Sequence, residues 1–304
     1  MPDFAETSKK ICRIALLDAP EYQPWAGYYL TRIIESEIIY ELFGLKEDFT
    51  LLEIGCGNGF YSALFSPHVK KIYSGDLEFP CASTHTMGIT KARSLLDKLD
   101  ISNVTLSSFS GAKLPFKDET FNLVFTSSTL EHIPNREKAV KEIKRVLKPG
   151  GRAVIIVPNF ITSVYSIFHI PLYLCVTFFR KTFKRNTCRN PHAGPVRDAK
   201  DISVFAKAGK ALMPKPHGEY KNLLDELQSS YPAKWEKLLT DEGLRVLASR
   251  GTTILPWSLI SVFSSRLGAL LYGLTKGFHK KIVCKYDFFK YFSYLICFVA
   301  EKRI

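Results

Sequence analysis

A chain of 304 residues is long enough for one α/β domain with insertions, or for two small domains. Its 46% hydrophobic content excludes global disorder, because a substantial core can be buried. The 42 basic residues exceed the 29 acidic ones, giving a formal net charge of +13; this favours anionic partners and says nothing about fold.

In chain order, Tyr28–Phe43 has the pattern of an amphipathic helix and leads into a buried strand, Thr50–Ile54. Further strands are expected at Lys71–Ser74, Val104–Ser107, Leu123–Thr126 and Ala153–Val157, with helices at Lys91–Leu99 and Arg136–Leu147. Pro149-Gly150-Gly151 should stop the second of these helices. Beyond Pro158 the character changes. Phe160–Phe179 contains no charged residue, and a basic, proline-containing stretch follows from Arg180 to Lys200. A helix is expected again at Lys234–Glu242 and a strand at Leu244–Leu247. A second apolar region, Trp257–Leu274, is interrupted only by Arg266, and Tyr294–Ala300 reads as the last strand. Short apolar runs alternating with helical patterns predict a doubly wound, mostly parallel, seven-stranded α/β sheet. The expected organisation is one domain over 1–304, with an insertion or lid at 160–232 after the fifth strand and an apolar-basic insertion at 256–290 before the last.

The seven cysteines (Cys12, Cys56, Cys81, Cys175, Cys188, Cys284 and Cys297) are odd in number, irregularly spaced and without a CxxC pair. That pattern fits neither a disulfide framework nor a zinc site, so no metal is expected and a reducing, cytoplasmic compartment is. The opening Met-Pro-Asp-Phe-Ala-Glu lacks the basic-then-apolar order of a signal peptide.

The motif richest in chemistry is Leu51-Leu52-Glu53-Ile54-Gly55-Cys56-Gly57-Asn58-Gly59. An apolar strand enters a glycine-rich turn, and a helix begins near Phe60. Glycine permits positive φ and close approach of a ligand to the backbone, and a helix N-terminus carries a partial positive charge. Phe60 stands where a GxGxxG dinucleotide loop needs its third glycine, and no GxxxxGK[ST] loop occurs. About twenty residues on comes Asp76, at the distance expected of an acid that accepts from both ribose hydroxyls. A turn aspartate after Gly75 is the plainer alternative.

From about Tyr22 to Asn159 the chain resembles the class I S-adenosylmethionine-dependent methyltransferases of the type 11 group, which includes quinone and sterol C-methyltransferases. The resemblance rests on Glu53–Gly59, Asp76, Leu114-Pro115-Phe116, Phe121-Asn122-Leu123-Val124, Leu130-Glu131-His132-Ile133-Pro134 and Arg145-Val146-Leu147-Lys148-Pro149-Gly150-Gly151, in that order and spacing. It implies a Rossmann-like methyltransferase fold and S-adenosyl-L-methionine as cofactor. It also implies that Gly55, Gly57 and Gly59, with Cys56 and Asn58 in the same loop, line the methionine moiety while Glu53 orders the loop beneath. Asp76 would hold the ribose and Leu77 pack on the adenine. Ser110 and Gly111 fall where the family reads the adenine amino group, usually with an acid. Asn122 replaces a usual aspartate and is expected to be structural. Ser127 and Ser128 fall at the carboxyl end of the fourth strand. The Thr126-Ser127-Ser128-Thr129 sequence there is not the Asn-Pro-Pro-Tyr type of amino-group methylases of DNA and protein. That points to oxygen, carbon or small-molecule nitrogen acceptors. His132 is the candidate catalytic base, against a packing role at a helix start.

Phe160–Phe179 reaches the length of a membrane span, but the strands that follow must rejoin the same sheet. A buried core helix, a substrate-pocket lid and an interfacial helix pair remain as readings. Arg180–Lys200 carries seven basic residues and one acid, and Lys276–Lys290 five and one. An apolar run followed by cations suits acyl chains and anionic headgroups. The expected function is methyl transfer to a hydrophobic or lipid-linked small molecule at the cytoplasmic membrane face, with the enzyme peripheral. An RNA methyltransferase and a non-catalytic S-adenosylmethionine-binding protein are the alternatives; no interleaved aromatic-basic RNA motif is present, so nucleic acid is not the expected partner.

Overall fold

The computed structural model describes residues 7, 8, 10, 11, 26–77, 88–165, 218–252, 282, 283 and 285–304. Most of the 160–232 and 256–290 insertions, including Arg180–Lys200 and Trp257–Leu274, lies outside the described residues.

Seven strands form one sheet: β1 (Thr50–Ile54), β2 (Lys71–Asp76), β3 (Val104–Ser108), β4 (Phe121–Ser127), β5 (Leu147–Pro158), β6 (Leu244–Gly251) and β7 (Leu295–Lys302). Their order is β3-β2-β1-β4-β5-β7-β6. β1 to β5 pair in parallel, and β7 runs antiparallel between β5 and β6. Strand order reverses between β1 and β4, which opens a crevice at the carboxyl edge where doubly wound folds bind ligands.

The helices are α1 (Ala26–Phe43), α2 (Phe60–Phe65), α3 (Ile89–Lys98), α4 (Arg136–Val146), α5 (Leu223–Ser229) and α6 (Pro232–Asp241). Alternate residues of each strand face opposite sides, so two cores form. Leu51, Phe125, Val154 and Ile156 pack with Phe43 of α1 and Phe65 of α2 on one face. Leu52, Val124, Ile155 and Phe298 pack with Val140 and Ile143 of α4 and Trp235 of α6 on the other. Continuous apolar strands are what a sheet covered on both faces requires.

Boundaries differ from expectation in instructive places. β2 runs two residues past the expected Lys71–Ser74, so that Asp76 is its last residue, because β3 continues the pairing to Asp76↔Ser108. Pro149-Gly150-Gly151 does not separate α4 from a strand. β5 already starts at Leu147, which pairs with Phe121, and the register shifts between Phe121 and Leu123. Gly150 sits at φ 72°, so the chain turns sharply without leaving the sheet. Residues 130–132 form a 3-10 turn, and Leu223–Ser229 is a helix that the residue pattern does not announce. Asn122 is structural: its Oδ1 accepts from the Thr50 amide and from Lys148 Nζ, both at 3.1 Å, tying β4 to its neighbours.

Arg145 joins two of the sequence motifs physically. It pairs with Glu142 and Asp118 and donates to the Phe116 and Leu114 carbonyls, while Glu142 Oε2 accepts from the Leu114 amide at 2.8 Å. Leu114-Pro115-Phe116 is thereby held under α4.

Candidate functional site

The turn after β1 takes three positive φ values, 81° at Gly55, 51° at Gly57 and 82° at Gly59, a conformation that glycine adopts without steric cost. Its neighbours leave little room. A Cβ on Gly55 would run into Thr129, and one on Gly59 would meet Ala92 of α3 at 2.9–3.0 Å. The Gly55 and Cys56 amides donate to the Gly75 carbonyl at 2.8 and 3.0 Å, and the Gly88 amide donates to the Gly57 carbonyl at 3.0 Å. The turn is thus clamped by β2, by the start of α3 and by the segment after β4.

Asp76 meets that turn directly. Its Oδ2 accepts from the Gly57 amide at 2.9 Å and its Oδ1 from the Leu77 amide at 2.8 Å. A carboxylate offers about four acceptor positions, so each oxygen keeps capacity for a hydroxyl donor. Leu77 beside it is 53% exposed, an apolar surface at the crevice mouth. Ser110 is exposed, and its Oγ accepts from the Ala112 amide at 3.3 Å. Gly111 is buried, where a Cβ would meet Ile133 and Ile54. Phe109 packs where a Cβ on Gly75 would lie, which binds this turn to β2.

Beneath the glycine turn lies Glu53, buried in the sheet. Ser62 Oγ lies within hydrogen-bond distance of its Oε2, and Ser74 Oγ approaches the same oxygen to 2.6 Å. Burial pushes the Glu53 carboxyl up to about 7 against the pull of those hydroxyls. Cys56 is buried with a free thiol, and desolvation, reinforced by Glu53 and Asp76, raises its pKa. It therefore stays a thiol and offers no nucleophile. Asn58 Oδ1 accepts from the Phe60 amide at 3.3 Å, at the start of α2.

At the carboxyl end of β4, Ser127 is buried, and Ser128 takes φ 51° while donating its amide to the Ile156 carbonyl at 2.9 Å. His132 ends the 3-10 turn, half-buried, its amide donating to Thr129. Next to it, Glu131 is fully buried, and desolvation raises its carboxyl to about 8. The Glu219 amide donates to the Glu131 carbonyl at 2.8 Å, so the chain returning at 218–220 closes over this turn.

One group near Ser127 escaped the sequence reading. Arg32 of α1, buried in the body of the protein, donates to Ser127 Oγ at 2.7 Å, to Glu35 Oε2 at 2.8 Å and to the Tyr61 hydroxyl at 3.0 Å. Tyr61 in turn donates to Glu35 Oε2 at 2.6 Å. Glu35 Oε1 is buried with no hydrogen-bond partner. The i, i+3 spacing of Arg32 and Glu35 was visible, but on a helix such a pair ordinarily reads as a solvated salt bridge. The structure thus brings the Gly55–Gly59 turn, Asp76 and Leu77 together at the carboxyl edge of the sheet, above the buried Glu53, with Ser127 and Ser128 at the end of the neighbouring β4. Ser110 stands on an exposed turn, its hydroxyl engaged locally.

Residues 52–155 match the family model described as "Methyltransferase domain". An uncharacterized protein of Methanocaldococcus jannaschii is 31% identical over 164 residues, covering 51% of this chain and 65% of that protein. The ubiquinone/menaquinone biosynthesis C-methyltransferase of Haemophilus ducreyi is 32% identical over 113 residues, covering 37% and 42%. The chain spans less than two thirds of the length of either relative. A solved structure of an S-adenosylmethionine-dependent methyltransferase from Mesorhizobium loti superposes with a TM-score of 0.50 at 11% identity, covering 88% of this chain and 98% of that one; that likeness shows the fold.

Proposed function

We propose that this chain, whose residues 52–155 match the methyltransferase-domain family model, is a class I methyltransferase of the type 11 group that transfers a methyl group from S-adenosylmethionine to a hydrophobic or lipid-linked small molecule at a membrane surface. The observation that carries the cofactor part is Asp76. Its carboxylate is fixed by the Gly57 and Leu77 amides and keeps acceptor capacity for a diol. The residues present fit the cofactor. Asp76 would take the ribose hydroxyls, Leu77 the adenine face, and the Gly55–Gly59 backbone the methionine end. Gly111 would let the adenine edge approach, Ser110 would face it, and Ser127 and Ser128 would border the sulfonium. Glu35 Oε1, a buried acceptor without a partner, suits a donor such as the cofactor's ammonium group.

When bound, the cofactor supplies an electrophilic methyl group on a sulfonium. The chain's own task is alignment and exclusion of water. Thr129 and the turn that follows it, closed over by the 218–220 segment, would border the acceptor. His132, in that turn, would be the base for an acceptor that must lose a proton. The fold alone does not select the acceptor. Support for an apolar one comes from the two apolar-basic stretches of the sequence and from the quinone-pathway relative. Among the described residues no helix is long and apolar enough to cross a membrane.

The test is mass spectrometry of lipid and metabolite extracts incubated with the protein and methyl-labelled S-adenosylmethionine, beside calorimetry with S-adenosylhomocysteine. Label in an apolar product, with cofactor binding, is expected. Binding without transfer to any extract would favour a non-catalytic cofactor-binding protein, and label confined to RNA would overturn the small-molecule acceptor.

A further inference from the structure

The carboxyl edge of the sheet carries more than the crevice. β5 ends there at Pro158, β6 at Gly251, and β7 begins there at Leu295, as the pairings Pro158↔Leu295 and Gly251↔Ile296 require. The chain enters β7 through a 3-10 turn, Asp287–Tyr291. Asn159 Nδ2 fastens that approach to the end of β5 by donating to the Lys290 and Ser293 carbonyls, each at 2.8 Å. Thr162 Oγ1 adds a bond to the Tyr294 carbonyl at 2.5 Å.

Three aromatic side chains of this rigidly held turn point to solvent: Phe288 is 63% exposed, Tyr286 54% and Phe292 46%. The Phe288 and Phe292 rings pack at a tilt, their centroids 5.1 Å apart. The aromatic surface continues inward, with Tyr291 5.7 Å from Tyr231 and Tyr231 5.3 Å from Phe160. With an aromatic ring contributing 150–250 Å² when fully exposed, the three leave on the order of 300 Å² of apolar surface in one place.

The charges around the patch are not neutral. Asp287 is paired with Arg250, and Glu236 with Lys290 at 3.8 Å, so the two acids there are compensated. Lys285 is exposed, its ammonium 5.8 Å from the Tyr286 ring. The sequence leading into the turn, Lys276–Lys290, holds five basic residues against one acid. The Tyr286 ring, with its polar end, suits the level of lipid headgroups, the apolar Phe288 and Phe292 rings suit the acyl boundary beneath, and adjacent cations are drawn to an anionic leaflet.

We propose that Tyr286, Phe288 and Phe292 form a docking surface for an anionic lipid bilayer, which sets the carboxyl edge of the sheet, and with it the cofactor crevice, against the membrane. This orientation rests on the methyltransferase reading of the crevice and deepens it: an apolar acceptor passes from the leaflet to the site without crossing bulk water. The docking surface itself stands on Tyr286, Phe288, Phe292 and Lys285.

The experiment is co-sedimentation of the full chain with phosphatidylcholine vesicles, with and without phosphatidylglycerol, for the wild type, the Tyr286→Ser/Phe288→Ser/Phe292→Ser variant and Lys285→Gln. The wild type should sediment with the anionic vesicles. The triple variant should bind at least several-fold more weakly, with unchanged circular dichroism and unchanged affinity for S-adenosylhomocysteine. Lys285→Gln should weaken binding to anionic vesicles and not to neutral ones. A wild type that stays in the supernatant with anionic vesicles overturns the proposal, as does a triple variant that sediments like the wild type. If the triple substitution instead converts a dimer to a monomer with vesicle binding unaltered, the patch is a contact between copies and the proposal fails. Ring-dependent vesicle binding supports the surface whether or not S-adenosylhomocysteine binds. A wild type that fails to bind S-adenosylhomocysteine would overturn only the methyltransferase reading.

Discussion

The Gly57 amide donates to Asp76 Oδ2 at 2.9 Å, so the turn after β1 and the last residue of β2 form one hydrogen-bonded unit. Asp76 therefore has two tasks. It shapes the glycine turn and presents its remaining lone pairs to a ligand.

Asp76→Ala should remove both. Loss of a charged acceptor of this kind costs about 1.5–3 kcal/mol, roughly a tenfold to hundredfold drop in S-adenosylhomocysteine affinity by calorimetry. Asp76→Asn, which keeps an oxygen for Gly57, should fall between the two. An alanine variant within two-fold of wild type would reduce Asp76 to a turn residue.

Gly55→Ala should destabilise the fold through two separable causes. The new Cβ collides with Thr129, and φ 81° is strained for an L-residue by about 1–2 kcal/mol. Adding Thr129→Ala should relieve the collision and leave the strain. Urea midpoints of the single and double variants measure both parts, and a double variant no better than the single would show that strain alone is at work.

Arg32→Leu should cost about 3–5 kcal/mol, because a buried carboxylate loses its cation. Adding Glu35→Gln removes the uncompensated charge and should recover part of that loss. Additive single losses in the double-mutant cycle would refute the coupling inferred from the 2.8 Å ion pair.

Glu53 and Glu131 govern an unusual pH response. Their folded carboxyls are raised from 4.5 to about 7 and about 8 by burial. The folded state then binds more protons than the unfolded state between pH 4.5 and these values, so stability from the two groups is complete below 4.5 and falls as pH rises through 7 and 8. Glu53→Gln should flatten the decline between pH 4.5 and 7, and Glu131→Gln the decline over the whole range from 4.5 to 8. Urea midpoints at pH 5, 7 and 8.5 test this; identical slopes in wild type and variants would refute it.

Much of the site was legible because its parts are local. Glu53–Gly59, Asp76 and Ser127 lie at strand ends, where a strand, a glycine turn and an acid can be read from spacing. The Arg32–Glu35–Tyr61 group was not legible. Its meaning depends on α1 packing against the carboxyl end of β4, and no residue of α1 announces that contact. Glu131 was seen as part of a motif and not as a buried acid, since its burial comes from a segment that returns almost ninety positions later, at Glu219. β5 began earlier than expected because pairing with Phe121 outweighed the turn chemistry of Pro149-Gly150-Gly151. The aromatic turn at 286–292 carries no periodic signal, and its exposure emerges only once β7 is threaded between β5 and β6.

That threading has a consequence for synthesis. The first five strands lie side by side in the sheet and can pair as each leaves the ribosome. β6 cannot join them, because the strand that must stand between it and β5 is translated some fifty residues later. Until then the outer edge of β5 offers a row of unsatisfied amides and carbonyls, a template for foreign strands. A ribosome stalled between Gly251 and Leu295 should therefore display a nascent chain that is folded in its first half, sticky along one edge and dependent on chaperones.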